Sequence, residues 1–125
     1  MALVELMNRG KLHHIISQNV DGLHRKSGIA KDNITEVHGN TNLEICQKCG
    51  KDYMRDFRVR TANKATVHKT GRKCDNPKCA GELHDTIINF GESLRGEDIQ
   101  RGMAEGLASD LMLCLGSSLR VSPAN

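Results

Sequence analysis

The chain has no tryptophan among its 125 residues, and Tyr53, Phe57 and Phe90 are its only aromatic side chains. Its core must therefore be mostly aliphatic, and stacked aromatic platforms for single-stranded nucleic acid are nearly absent. No apolar run approaches the ~20 residues that a membrane-spanning helix requires, so no membrane partner is expected. The opening MALVELMNRG lacks a basic stretch followed by a long apolar one and does not read as a secretory signal. Charged residues at 26% and hydrophobic ones at 38% place the chain among globular rather than disordered sequences. A chain of this length is enough for one domain, burying roughly two-thirds of its unfolded surface. Its five cysteines, with no secretory signal, point to metal binding or reduced thiols rather than a disulfide framework.

Residues 2–9 carry Leu3, Leu6 and Met7 at helical spacing, with Gly10 as a stop. His14-Ile15-Ile16 reads as a short buried strand that ends in the polar loop SQNVDG. Leu43-Glu44-Ile45 leads into the first cysteine pair, and residues 50–73 are basic and poor in apolar side chains, with no clear element. Thr86-Ile87-Ile88 is a second strand candidate, followed by NFGE. Residues 97–109 place Ile99, Met103, Ala104, Leu107 and Ala108 near one helix face, with acids in the first turn. Leu111–Leu115 is the clearest strand, continuous and apolar as a strand buried on both faces would be. It runs into Gly116-Ser117-Ser118, and helix, apolar strand and glycine-serine loop in succession form a mononucleotide-binding pattern.

Cys46-x2-Cys49 is followed, after 24 residues, by Cys74-x4-Cys79. Two close pairs separated by a loop can supply four thiolates to one tetrahedral Zn²⁺. Lys48, Lys51, Lys73 and Lys78 beside the pairs should favour deprotonated sulfur. Four cysteine ligands leave no open coordination position, so such a zinc is structural and catalysis must lie elsewhere. The other reading is four free or disulfide-linked cysteines. Cys114, within an apolar segment, reads as a buried core residue.

In Ser17–His24, polar side chains crowd a loop at the C-terminal end of a strand, where α/β folds bind ligands. Alone, the loop could equally be an Asx turn in which Asn19 and Asp21 bond local backbone. Val37-His38-Gly39-Asn40 follows, just before the first cysteine pair. SQNVDGLH, EVHGN, the two cysteine pairs, NFGE and GSSLRVSP, in this order and over nearly the whole chain, resemble the core of the sirtuin family. The SQN serine, the TGRKC lead into the second pair and DTIINFGE are most similar to class IV, the branch holding nuclear sirtuins.

The resemblance implies an NAD-dependent protein-lysine deacylase. It assigns His38 as general base: the acyl oxygen attacks C1′ of the nicotinamide ribose, nicotinamide leaves, and the histidine takes a proton from a ribose hydroxyl that then attacks the acyl carbon. An imidazole's ordinary pKa near neutrality suits that step. The resemblance gives NAD contacts to Gln18, Asn19, Val20, Asp21, Gly116, Ser117 and Ser118. It gives Asn89, Phe90, Gly91 and Glu92 to a segment that pairs with the substrate peptide as an added strand. The family's glycine-rich phosphate loop has no counterpart here, so the resemblance implies an internal piece of a catalytic core, without deacylase activity alone.

The fold class expected is α/β: part of a Rossmann-like parallel-sheet domain with an inserted four-cysteine zinc-ribbon module. Residues 1–41 and 87–125 form the Rossmann-like parts, and 42–86 the zinc-binding module. The partners implied are acylated-lysine proteins, histones among them, in a nuclear setting. Mono-ADP-ribosyl transfer on the same scaffold is an alternative, since both reactions begin at the nicotinamide bond. A zinc-ribbon module binding nucleic acid or chromatin is another. Between Cys46 and Cys79 lie ten Lys/Arg and three acids, a formal +7. Four thiolates and Zn²⁺ contribute −2, leaving about +5, which could contact backbone phosphates weakly or simply be solvated.

Overall fold

The computed structural model describes residues 1–125. The chain begins with helix α1 (Ala2–Asn8) and strand β1 (Ile15–Ser17). A loop, the short helix α2 (Leu23–Lys26) and a 3₁₀ turn (Lys31–Asn33) return it to strand β2 (Ile34–Glu36). β1 and β2 pair in parallel, with Ile15 opposite Ile34 and Ser17 opposite Glu36. A parallel pair needs a crossover rather than a hairpin, and residues 18–33 supply it.

Helix α3 (Gly96–Leu107) covers this pair. It packs through Gly102, where an added Cβ would lie 3.8 Å from Ile16 Cδ1 and 3.9 Å from Thr35 Cγ2. The apolar face read from the sequence is thus only partly used: Met103 is 63% and Leu107 86% exposed. His14 Nε2, 2.9 Å from Thr35 Oγ1, closes the same small layer.

The second unit is an antiparallel sheet of four strands in the order β4-β3-β6-β5. Its strands are β3 (Leu43–Cys46), β4 (Asp52–Met54), β5 (Lys69–Lys73) and β6 (Glu82–Asp85). Such short strands offer little apolar surface, and the buried cluster is Cys46, Tyr53, Cys74 and Leu83. Behind it lies a buried charge. Glu44 has no exposed surface, and its carboxylate receives Arg55 Nε at 2.8 Å and Arg72 Nε at 2.8 Å. Burial opposes ionisation of Glu44, but hydrogen bonds from Thr70, Arg55 and Arg72 outweigh it and hold its pKa below the ordinary value. Arg72 also donates to the Val59 carbonyl, fixing the long β4–β5 connection to the sheet.

The units meet at residues 39–42 and at Thr86. Gly39 has φ +83°, and a Cβ there would lie 1.9 Å from the Thr86 carbonyl oxygen, so only glycine fits. The Asn40 amide donates to Thr86 Oγ1 at 3.0 Å, and the Asn40 side chain donates to Glu36 Oε1 at 2.7 Å. Lys31, ahead of β2, pairs with Asp52 of β4.

Two strand expectations are corrected. Thr86–Ile88 forms no ladder; the strand lies earlier, at Glu82–Asp85, where backbone groups pair with β3 and β5. Leu111–Leu115 is not a strand either. No other strand pairs with it, and Leu111, Leu113 and Leu115 stand 85%, 73% and 66% exposed. Cys114 lies in that segment and is exposed, not buried as its apolar neighbours suggested.

Removing one partner of a buried ion pair strands the other charge. Arg55 and Arg72 keep 32% and 30% of their side chains exposed, which softens that penalty. We expect Glu44→Gln to cost about 2 kcal/mol, read from denaturant unfolding of the metal-loaded chain.

Candidate functional site

The sulfur atoms of Cys46, Cys49, Cys74 and Cys79 lie within 4.8 Å of one another. Cys46 and Cys79 approach to 3.6 Å, and Cys49 and Cys74 to 3.8 Å. A disulfide needs about 2.05 Å, so these four cysteines are free thiols. Four ligands at about 2.3 Å from a tetrahedral ion would stand about 3.8 Å apart, close to the Cys46–Cys79 and Cys49–Cys74 separations. The residues therefore fit Zn²⁺.

Each pair sits on a tight turn. The Gly50 amide donates to the Cys46 carbonyl at 2.9 Å, and the amides of Cys79 and Ala80 both donate to the Asn76 carbonyl at 2.9 Å. The residue after each second cysteine is left-handed: Gly50 at φ +72° and Ala80 at φ +46°. Gly81 makes the closest approach. A Cβ there would lie 2.6 Å from Cys46 Sγ and 2.7 Å from Lys48 Cβ.

Backbone N–H groups and one phenol prepare the thiols for a cation. The amides of Cys49 and Lys48 lower Cys46 to about 6. Cys74 is lowered by the Tyr53 hydroxyl and then by the Asn76 amide. Cys79 has the Gly81 amide pointing at it, yet burial and the three neighbouring sulfurs push it up to about 12. Four such groups cannot all ionise together without a cation among them. The lysines reach the sulfurs through charge alone, as Lys51 does toward Cys74 and Cys49. None hydrogen-bonds a sulfur: Lys51 pairs with Asp75 at 2.8 Å and Lys48 donates to the Cys79 carbonyl at 3.1 Å.

Tyr53 was not legible as part of this site. Its hydroxyl lies 3.0 Å from Cys74 Sγ and donates to Asp75 Oδ1 at 2.6 Å, while Lys51 sits 5.1 Å over its ring. Burial, then the bonds to Asp75 and Cys74, hold the phenol protonated above its ordinary range. The available signal was its position three residues past Gly50, on a strand facing the second pair.

A second constellation surrounds His38. Its Nδ1 lies 3.0 Å from the Gln18 carbonyl oxygen. An imidazole nitrogen facing a carbonyl must carry the proton, so in the neutral ring Nε2 keeps its lone pair. The His38 carbonyl in turn accepts the Ile88 amide at 3.0 Å, and the Val37 amide donates to the Ser17 carbonyl at 3.1 Å. The histidine is thus clamped between the end of β1 and the segment leaving the zinc-binding unit.

The Gln18–Asp21 loop divides its roles. Asp21 Oδ1 accepts the Leu23 amide at 2.9 Å, as the Asx-turn reading anticipated, while Asn19 is exposed with a side chain that bonds nothing in the chain. The Val20 carbonyl accepts the Thr41 amide at 2.8 Å, and Gln18 Nε2 donates to the Ala124 carbonyl at 3.0 Å. The chain bends at Gly116, with Gly116 and Ser118 exposed, Ser117 half-buried, and Ser117 Oγ accepting the Leu119 amide at 3.2 Å. That bend makes no hydrogen bond to the Gln18–Asp21 loop. Asn89–Glu92 is a tight turn closed by the Glu92 amide donating to the Asn89 carbonyl at 3.0 Å, with Gly91 at φ +87° and Phe90 99% exposed.

Metal analysis of the purified chain should give a single zinc, with the thiols free of disulfides. We expect Gly81→Ala to lower zinc content, because its methyl overlaps Cys46 Sγ. Tyr53→Phe should keep the metal but weaken its retention about tenfold in a chelator competition.

A Sir2 family profile matches residues 1–123. Among curated relatives, the NAD-dependent protein deacetylase SRT1 of Arabidopsis thaliana is 44% identical over 99% of this chain and 26% of its own length. NAD-dependent protein deacetylase sirtuin-7 of Homo sapiens is 40% identical over 97% of this chain and 31% of its own. Among solved structures, a Sir2 homologue in complex with NAD aligns at a TM-score of 0.66 and 33% identity, covering 98% of this chain and 44% of that one. The chain spans only about a quarter to a third of these two curated relatives. The profile, the relatives and the fold agree: the chain belongs to the Sir2 family.

Proposed function

We propose that this chain is part of an NAD-dependent protein-lysine deacylase in which His38 is the general base. The observation that carries the reading is the His38 Nδ1 contact to the Gln18 carbonyl at 3.0 Å. It fixes the ring plane and the tautomer, so the basic Nε2 is the atom free to take a proton. NAD, when bound, supplies a cleavable bond to nicotinamide and a ribose hydroxyl for the histidine to deprotonate. Gln18, Asn19, Val20 and Asp21 would bind its nicotinamide end. Asn19 suits this through its uncommitted amide, and Asp21 through its second carboxylate oxygen. Gly116, Ser117 and Ser118 would contact the cofactor through small side chains and amides.

Asn89–Glu92 would meet an acylated-lysine peptide; since Asn89 and Glu92 close the turn on themselves, the backbone open to such pairing is that of Phe90 and Gly91. Cys46, Cys49, Cys74 and Cys79 would hold Zn²⁺ in a closed, structural site, within a module we bound at residues 42–86. That ion would hold the sheet in shape and take no part in the reaction. Histone substrates and a nuclear setting follow from the resemblance to the class IV branch and belong to the same proposal.

A nucleic-acid role for the zinc module has weaker support than its charge suggested. Glu44, Glu82 and Asp85 lie outside the Cys46–Cys79 window, and they pair with Arg55 and Arg72, with Lys69, and with Arg60. Counted over residues 42–86, ten Lys/Arg face six acids, a formal +4, or about +2 with the thiolates and Zn²⁺. Any contact with nucleic acid should therefore be weak and salt-sensitive.

The test is turnover of an acetyl-lysine peptide with NAD by the protein carrying this chain. His38→Tyr should lower the rate by about 10²–10⁴ with zinc content unchanged. O-acetyl-ADP-ribose as product would separate deacylation from ADP-ribosyl transfer. Near-normal turnover by the variant would remove His38 from the reaction.

A further inference from the structure

His68 lies just ahead of β5, far in sequence from the His38 loop, and neither the zinc site nor the proposed reaction uses it. Both of its ring nitrogens face carboxylates. Nδ1 is 3.1 Å from Asp85 Oδ1 and Nε2 is 2.9 Å from Glu92 Oε1. A neutral imidazole carries one N–H and could satisfy only one of these, leaving a lone pair against an anionic oxygen. The two-sided contact therefore requires the imidazolium.

Glu92 passes the contact on. Its other oxygen, Oε2, accepts the Asn89 amide at 2.7 Å and Asn89 Nδ2 at 2.8 Å. The Asn89 side chain also donates to the Ala65 carbonyl at 2.9 Å and accepts Arg60 NH1 at 3.4 Å. The turn that thrusts Phe90 into solvent is thus fastened to the β4–β5 connection through Arg60, Ala65 and His68. The charges facing the ring are Asp85 from β6 and Glu92 from the turn. Arg60 stands 3.9 Å from Asp85, and Lys69 points away to Glu82 at 2.8 Å.

We propose that His68 is a positioning residue: its imidazolium, donating to Asp85 and Glu92 together, locks the Asn89–Glu92 turn onto the zinc-binding unit, and loss of its proton loosens that turn. The functional consequence rests on reading this turn as the peptide-binding segment. Peptide affinity then falls as pH rises, while the chemical step at His38 is untouched.

The sign follows from both partners. Hydrogen bonding to Glu92, then to Asp85, raises His68 above its ordinary 6.5. Its contribution is therefore complete below 6.5 and is lost as pH rises through the raised value. The Asn89 amide, then His68, depress Glu92 to about 2 from 4.5. Its contribution holds above 4.5 and is lost as pH falls toward about 2. The lock is closed between these limits.

The experiment is NMR on the ¹⁵N-labelled, zinc-loaded chain. Near neutral pH both His68 ring nitrogens should be protonated. Exchange of the Asn89 amide, corrected for its intrinsic pH dependence, should be about tenfold faster in His68→Gln than in the wild-type chain. The always-charged His68→Arg should keep the amide protected and abolish the pH dependence. Glu92→Gln decides the matter if His68→Gln does not fold, and should also release the Asn89 amide. A singly protonated His68 ring below its ordinary pKa, or equal exchange in all variants, overturns the proposal. Peptide turnover with NAD is measured alongside, on the protein carrying this chain. A raised KM with unchanged kcat in His68→Gln supports the functional consequence, and an unchanged KM overturns it. Absence of turnover in the wild-type protein counts against the deacylase reading alone, because the exchange measurement needs no NAD.

Discussion

Four cysteine sulfurs are held within 4.8 Å of one another, and the antiparallel sheet is arranged around that crowding. Two of the four residues in its buried cluster, Cys46 and Cys74, are themselves candidate ligands. Four strands of three to five residues cannot bury enough apolar surface to be stable alone. A cation among the sulfurs turns mutual repulsion into the main cohesive force, as in other small metal-held folds. The surrounding details follow from this. Gly81 has no side chain because Cys46 Sγ occupies the space, Ala80 takes a left-handed conformation, and Tyr53 spends its hydroxyl on Cys74 and Asp75.

That unit matters to the proposed chemistry through a rigid joint. Gly39 lies against the Thr86 carbonyl with no room for a methyl group, and Asn40 is fully buried with its amide on Thr86 Oγ1. His38 immediately precedes this joint, and its own carbonyl is tied to Ile88. The direction of the imidazole is thereby set from both sides, by Gln18 just after β1 and by the segment leaving β6. A group proposed as a general base must hold its geometry closely, and here the four-cysteine sheet provides one wall of its mount.

The motifs were legible because each depends on residue types that little else demands. Cysteine spacing announced the cluster, and the His38-Gly39 pair ahead of it helped carry the family resemblance, whereas the joint at Gly39 and Thr86 appears only in the fold. Helices α1 and α3 were legible from apolar spacing and Gly10. The antiparallel strands were not, because they carry charge where periodicity looks for apolar residues: β5 reads KTGRK, and β3 buries Glu44. Leu111–Leu115 failed in the opposite way. Apolar composition indicated a buried strand, but a strand exists only with a partner, and none pairs with this segment. The basic stretch carries less net charge in the fold than in its own window for a related reason. Its neutralising acids, Glu44, Glu82 and Asp85, are distant in sequence and adjacent only after folding.

The four-sulfur site and the His38 mount form one mechanical unit. The decisive measurement is ¹⁵N-histidine NMR during stepwise removal of zinc by a chelator. The His38 Nδ1 signal, marked by its bond to the Gln18 carbonyl, should lose its fixed tautomer in step with the metal. A His38 signal that stays unchanged after all the zinc has left would contradict it.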